Sequence, residues 1–182
     1  DRRLTHLLGD LDDARYWQTL RDAICGGHDP ENVILLEIDP ERQKTFPDFA
    51  ATRHRIGIPY VCVTRIHKQG NRLSYDAGGG RIVPVHRIYN RVIVDEVVRK
   101  NVPVPFDWRD DLQVEWAGHP NWFFLLSKYS IPFFDHPTVP RTLFLDRVGA
   151  LPDDLDRWVL KPLFSFAGLG VVVGPSREQI DA

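Results

Sequence analysis

The sequence predicts an α/β fold, and three patterns carry that reading. Short apolar runs enclose a helix-spaced segment between residues 33 and 63, giving strand, helix, strand. Two extended segments flank the glycine run Gly78-Gly79-Gly80, as the arms of a hairpin would. Two further strand-like segments, at 158–162 and 171–173, enclose a small loop of serine and glycine. The expected organisation is an N-terminal helical segment over 1–31 and an α/β domain with a short parallel or mixed sheet over 32–118. A helix and linker over 119–150 then lead to the opening strands of a further, incomplete unit over 151–182.

Each element has its own warrant. Leu4, Leu7, Leu8, Leu11, Tyr16, Leu20 and Ile24 recur at helical spacing opposite Asp10, Asp12, Asp13 and Asp22, and Gly26-Gly27 ends that helix. The unbroken run from Val33 to Ile38 reads as a buried strand. Phe46, Phe49, Ala50 and Ile56 mark a helix closed by Gly57, and Tyr60 to Val63 is a second buried strand. Strand, helix, strand at this spacing predicts a right-handed crossover and a parallel pair. Segments 72–75 and 81–85 are the hairpin, 86–92 continues extended, and 94–100 is a short helix. The stretch 103–118, rich in Pro, Trp and Asp, is expected to be an irregular connection. Residues 121–129, with Pro120 near their start, are expected to be helical.

Composition narrows the function classes. A chain of 182 residues with 43% hydrophobic content can bury a core without staples. No apolar run approaches the length of a membrane span, and the N-terminus lacks a signal-peptide core. With 23 basic against 25 acidic residues and no dense basic stripe, nucleic acid is not the expected partner. The two cysteines, Cys25 and Cys62, suit unpaired core thiols in a reducing, cytoplasmic setting, although a disulfide between them is also compatible with the sequence. The seven histidines show no ligand-spaced pair, so structural zinc is not expected. The acidic groups Asp107/Asp110/Asp111 and Asp153/Asp154/Asp156 lack the pattern of a calcium loop and read as solvated loops or helix starts.

The most informative chemistry lies near the end. Lys161 leaves a strand just before the loop Ser165-Phe166-Ala167-Gly168-Leu169-Gly170, and a second strand follows. A lysine at that exit can place its ammonium on a phosphate, and glycines let backbone N–H groups approach phosphate oxygens. Alone, the segment reads more readily as an ordinary hairpin with an exposed lysine than as a phosphate site, since short glycine motifs match often. It is neither a Walker A loop nor a dinucleotide fingerprint, because no Gly-Lys-Ser/Thr and no following helix are present.

The order of the surrounding motifs adds a resemblance. Leu126-Ser127-Lys128, then Pro140-Arg141-Thr142, then Val159-Leu160-Lys161-Pro162 and Gly168-Leu169-Gly170-Val171 resemble the entry into an ATP-grasp domain. The strands and helix over 33–63, the glycine-flanked hairpin and Arg87-Ile88-Tyr89-Asn90-Arg91 resemble the Rossmann-like preATP-grasp domain of glutathionylspermidine synthase-like, circularly permuted ATP-grasp ligases. The resemblance implies a ligase that uses ATP to turn a carboxylate into an acylphosphate, which an amine then attacks. It implies that Lys128 and Lys161 contact ATP phosphates, with Ser165, Gly168 and Gly170 in the loop that closes over them. It further implies Mg²⁺, with ligands from a part of the family fold outside this chain. The segment alone is then expected neither to bind ATP tightly nor to turn over. The absent initiator Met and the stop soon after Lys161 fit the front portion of a larger ligase. A non-catalytic, Rossmann-like binding or interaction module is the alternative, and it predicts that 171–173 pair inside the first domain.

Other candidates are weighed residue by residue. Arg87 and Arg91 have guanidinium forks suited to a substrate carboxylate or phosphate, but strand arginines also serve as solvated or paired side chains. Asn121 reads as a helix cap. Trp108, Trp116, Trp122, Phe123, Phe124, Phe133 and Phe134 form an aromatic-rich middle that reads as packing.

Overall fold

The computed structural model describes residues 11–165 and 168–181. The chain divides into two compact units, the first ending at Pro120 and the second beginning at Asn121.

The first unit is mixed α/β, built on a four-stranded parallel sheet. Its strands are β1 (Val33–Glu37), β2 (Tyr60–Cys62), β6 (Arg87–Asn90) and β7 (Glu115–Ala117), in the order β2-β1-β6-β7. Helix α1 spans Asp13–Cys25, α2 spans Phe46–Ile56 and α3 spans Val94–Arg99. An antiparallel meander, β3 (Ile66–Gln69), β4 (Arg72–Asp76) and β5 (Ile82–Val85), forms the other sheet.

Every residue of β1 is buried, as expected for a central parallel strand covered on both faces. Its alternating side chains feed two cores. Ile34, Leu36 and Ile38 pack with the inward residues of the meander (Leu73, Tyr75, Val83, Val85) and with Ile88 and Phe106. Val33 and Leu35 pack with Ile24, Cys25, Phe49 and Ile56 of α1 and α2. Burying each large aliphatic side chain contributes about 1.5–3 kcal/mol, so this strand anchors both layers.

Local signals set the helix limits. Asp12 caps α1 by accepting the Arg15 N–H at 2.8 Å. Gly26 ends it in the left-handed region with φ 59°, and its N–H bonds Asp22 O. A Cβ at position 26 would also lie 2.8 Å from the Arg87 guanidinium carbon, so a larger residue there would have to displace that side chain. Leu4, Leu7 and Leu8, expected in this helix, lie outside the described residues.

The parallel β1–β2 pair follows the expected strand, helix, strand pattern, with Leu36 opposite Val61. Two strands were not expected. Residues 103–118 are not wholly irregular, because Glu115–Ala117 join the sheet as β7, paired with Arg87–Tyr89. Ile66–Gln69 form β3, an edge strand whose residues are exposed except Ile66, so no alternation betrays it. The strands of the first unit are also trimmed: β1 stops at Glu37 and β6 at Asn90.

The second unit is sparser. The helix expected over 121–129 is only α4, Trp122–Leu125, followed by a 3-10 segment Lys128–Phe133. Pro132 lies inside that segment, and Ser127 caps it by accepting the Tyr129 N–H at 3.2 Å. Asn121 stands at the N-cap of α4 but makes no side-chain capping bond there. Strands β8 (Val159–Leu160) and β9 (Val172–Val173) form a two-stranded antiparallel sheet, shorter than the strand-like segments suggested, and α5 covers Arg177–Asp181.

Candidate functional site

In the second unit, a loop joins β8 to β9 and gathers most of the residues expected to handle phosphate. Lys161 follows β8 directly and is exposed, and Pro162 after it favours extended backbone at the lysine. Phe164 stacks on Tyr129 at 6.2 Å between ring centroids, and Tyr129 in turn meets Phe133 and Phe144. These ring contacts bring the loop to the 3-10 segment that carries Lys128. There, Lys128 Nζ donates to the Ser165 carbonyl at 2.6 Å and to Ser165 Oγ at 2.7 Å. Gly168 and Gly170 have φ of 78° and 72°, a region that favours glycine. At Gly170 a Cβ would come within 2.7 Å of the Pro162 ring, so the loop can return past the lysine strand only with glycine there. Phe166 and Ala167, also expected in this loop, lie outside the described residues.

Chemically, the loop offers an ammonium at its mouth and a second ammonium held by its own backbone. Such an arrangement suits an anion with several oxygens, because each Lys nitrogen has three donors and the glycines leave backbone N–H groups unshielded. Thr142, of the Pro140-Arg141-Thr142 motif, lies in no strand, and its hydroxyl bonds back to Pro140 O at 2.9 Å. No cluster of three or more His, Cys, Asp or Glu among the described residues is placed to hold a metal ion.

In the first unit, the ligand-binding candidates are Arg87, the first residue of β6, and Arg91, which directly follows its last residue. Arg87 ties the molecule together. Its Nε bonds Ile24 O at 2.9 Å, one terminal nitrogen bonds Ala23 O at 3.2 Å, and the other pairs with Glu115 at 2.5 Å. Both carbonyls belong to the last turn of α1, where a cation is also favoured by the helix dipole. The same Glu115 lies 3.2 Å from His28 Nε2, and these two partners hold its pKa below the usual glutamate range. The fork of Arg87 is therefore committed to the packing of α1 on the sheet.

Arg91 is placed differently. The sheet order puts β2 on one side of β1 and β6 on the other, so the winding direction reverses between β1 and β6. In open α/β sheets, ligands bind beyond the carboxyl ends of the strands at such a reversal. Arg91 stands at that end, its N–H bonding Leu36 O at 2.9 Å. One terminal nitrogen donates to Asp48 Oδ2 at 2.7 Å and to the Tyr89 hydroxyl at 3.2 Å. The guanidinium also lies over the Phe49 ring at 5.2 Å and the Tyr89 ring at 5.8 Å.

Glu37, the last residue of β1, belongs to the same end of the sheet and was not singled out in the sequence. It is 7% exposed, and burial raises its pKa despite the bond that its Oε1 accepts from Ile38 N at 2.7 Å. The one available signal was a charge inside the run Val33 to Ile38. The neighbouring Cys62 Sγ contacts Thr64 Oγ1 at 3.1 Å and accepts from Asp39 N at 3.4 Å. Cys62 is therefore a buried thiol with polar neighbours rather than a purely apolar core residue. Both cysteines are free and buried, and burial pushes the Cys25 thiol pKa up, which suits packing and not nucleophilic attack.

Elsewhere in the first unit, the Asp107 and Asp110 carboxylates are engaged by Arg109 and Lys68, in loops that border a shallow apolar hollow. Among the described residues no helix is long and apolar enough to cross a membrane. No protein-family model and no curated protein matches the chain.

Proposed function

We propose that this chain is the N-terminal part of an ATP-dependent carboxylate–amine ligase acting through an acylphosphate, with a Rossmann-like preATP-grasp domain followed by the opening strands of an ATP-grasp domain. The observation that carries this reading is the placement of two lysines on one glycine loop: Lys161 at its mouth and Lys128 bonded to Ser165 within it. The residues present fit a nucleotide polyphosphate. Both ammonium groups carry the charge such an anion needs, and Gly168 and Gly170 allow the backbone to approach it. Lys128 would exchange its Ser165 partners for phosphate oxygens, releasing the loop to close and exclude water.

The donor set does not fit Mg²⁺, since no described cluster of acidic or histidine side chains gathers at this loop. In this reading the ligands of the metal belong to a part of the fold outside this chain. Arg91 is the residue for the substrate carboxylate; Arg87, already bound to α1 and Glu115, contributes to the frame that holds β6. The acid, the amine and the closing of the site are properties of the whole ligase. Free, buried Cys25 and Cys62 support a reducing cytoplasmic setting.

The alternative, a non-catalytic binding module, has β9 completing the sheet of the first unit. Among the described residues β9 pairs only with β8, and this supports the ligase reading over it. Lys161→Ala in the full-length parent should abolish ATP-dependent phosphate release while leaving its far-ultraviolet circular dichroism unchanged. Undiminished release by that variant would overturn the assignment. The isolated chain is expected to bind Mg-ATP only weakly, and tight binding in calorimetry would show that the nucleotide site is complete without further residues.

A further inference from the structure

The end of the sheet between β1 and β6 holds two half-used charged groups. Glu37 is buried to more than nine-tenths, and its only hydrogen bond among the described residues is the one its Oε1 accepts from Ile38 N. Its second oxygen makes no hydrogen bond there and is reached by solvent, since His28 Nε2 is the one fully buried side-chain polar atom without a hydrogen-bond partner among the described residues. Arg91 is held by one terminal nitrogen, through Asp48 and Tyr89, and is stacked over Phe49 and Tyr89. Its Nε and second terminal nitrogen, the edge that grips a carboxylate with two parallel bonds, make no hydrogen bond among the described residues.

The two groups are neighbours across one seam. Leu36 pairs with Asn90, and Arg91 N bonds Leu36 O, so Glu37 and Arg91 follow in the same register. They feel each other's charge yet form no ion pair. Around them, Asp48 of α2 already holds Arg91, while Glu96 and Lys100, in and just after α3, are bonded to each other. The anion and the cation at the seam are thus both left with capacity for a ligand.

We infer that the seam between β1 and β6 receives a zwitterion, the α-amino-acid end of a substrate, with its carboxylate on the free edge of Arg91 and its ammonium on Glu37. The ammonium pairs with the Glu37 carboxylate by charge and hydrogen bonding, and no covalent bond forms or breaks. This deepens the substrate role given to Arg91 and rests on it, but it is independent of the nucleotide loop.

The test uses three small probes on the intact chain: L-alanine, propionate and ethylamine, each followed through the backbone amide resonances of Glu37, Ile38 and Arg91. L-alanine should bind at least about tenfold more tightly than propionate or ethylamine, the ratio expected for one charge-assisted hydrogen bond. Glu37→Gln should lower alanine to the level of propionate and leave propionate unchanged. The Gln side chain keeps the shape and removes a buried charge, so folding is retained; an unchanged amide spectrum away from the seam checks this. Equal binding of alanine and propionate would overturn the zwitterion site while keeping the Arg91 role. If none of the probes shifts these resonances, both are overturned.

Discussion

The two units solve the problem of burial differently. In the first, Val33, Ile34, Leu35 and Leu36 are fully buried between two helices on one face and a meander on the other. In the second, Leu126 is 79% exposed, Val173 76% and Leu169 74%, and no large apolar side chain is buried among the described residues. What holds the second unit is a set of ring contacts among Tyr129, Phe133, Phe144 and Phe164, together with the lysine–serine bridge. Apolar composition alone therefore does not make a core. A strand must be covered on both faces, and β8 and β9 leave Val159 and Val173 in the open.

The sharpest way to break this contrast is truncation of one apolar side chain in each unit. Phe49→Ala should destabilise the first unit by about 3–5 kcal/mol, through the lost contacts and the cavity left behind. Leu125→Ala, at a 69% exposed position, should stay within about 0.5 kcal/mol. Urea unfolding followed by amide exchange in each unit measures both. Similar losses at the two sites would mean that the second unit has a core of its own.

A smaller effect separates the polar ties. Arg87→Ala leaves the Ile24 and Ala23 carbonyls without their partner and should cost about 1–3 kcal/mol, read as faster amide exchange in the last turn of α1. Lys128→Ala, which frees an exposed-side loop, should cost no more than about 1 kcal/mol and speed exchange only near Ser165.

The smallest expected effect concerns charge inside the better-packed unit. Burial holds the Glu37 pKa above its unfolded value. Between the unfolded and folded values the native state carries the extra proton. The stabilisation is therefore complete below the unfolded value and is lost as pH rises through the folded one. Glu37→Gln should remove that slope and make the variant the more stable of the two at neutral pH. The difference between the two melting-temperature profiles isolates this carboxyl from Glu115, Asp107 and Asp110, whose lowered pKa values act in the opposite direction. A profile unaltered by the substitution would contradict the assignment.

Much of the α/β frame was legible because its signals are local. The run Val33 to Ile38, the helical spacing from Phe46 and the closing Gly57 specify β1, α2 and its cap without reference to anything distant. β7 was not legible, since Glu115-Trp116-Ala117 has neither alternation nor an apolar run, and only pairing with β6 makes it a strand. The resemblance assigned Lys128 and Ser165 to one phosphate site, but their direct contact joins segments far apart in sequence and comes with the Phe164–Tyr129 stack. Glu37 was visible only as a charge in an apolar stretch.

The sequence by itself determined where chain segments become strands and helices in the first unit, because period, caps and glycine positions are properties of neighbouring residues. Tertiary structure decided which charges are committed and which remain available. Arg87 and Arg91 sit four residues apart in one segment, yet one is spent on a helix end and the other keeps an open edge where the sheet reverses its winding. That distinction depends on which elements pack against each side chain, and only the folded chain brings those elements together.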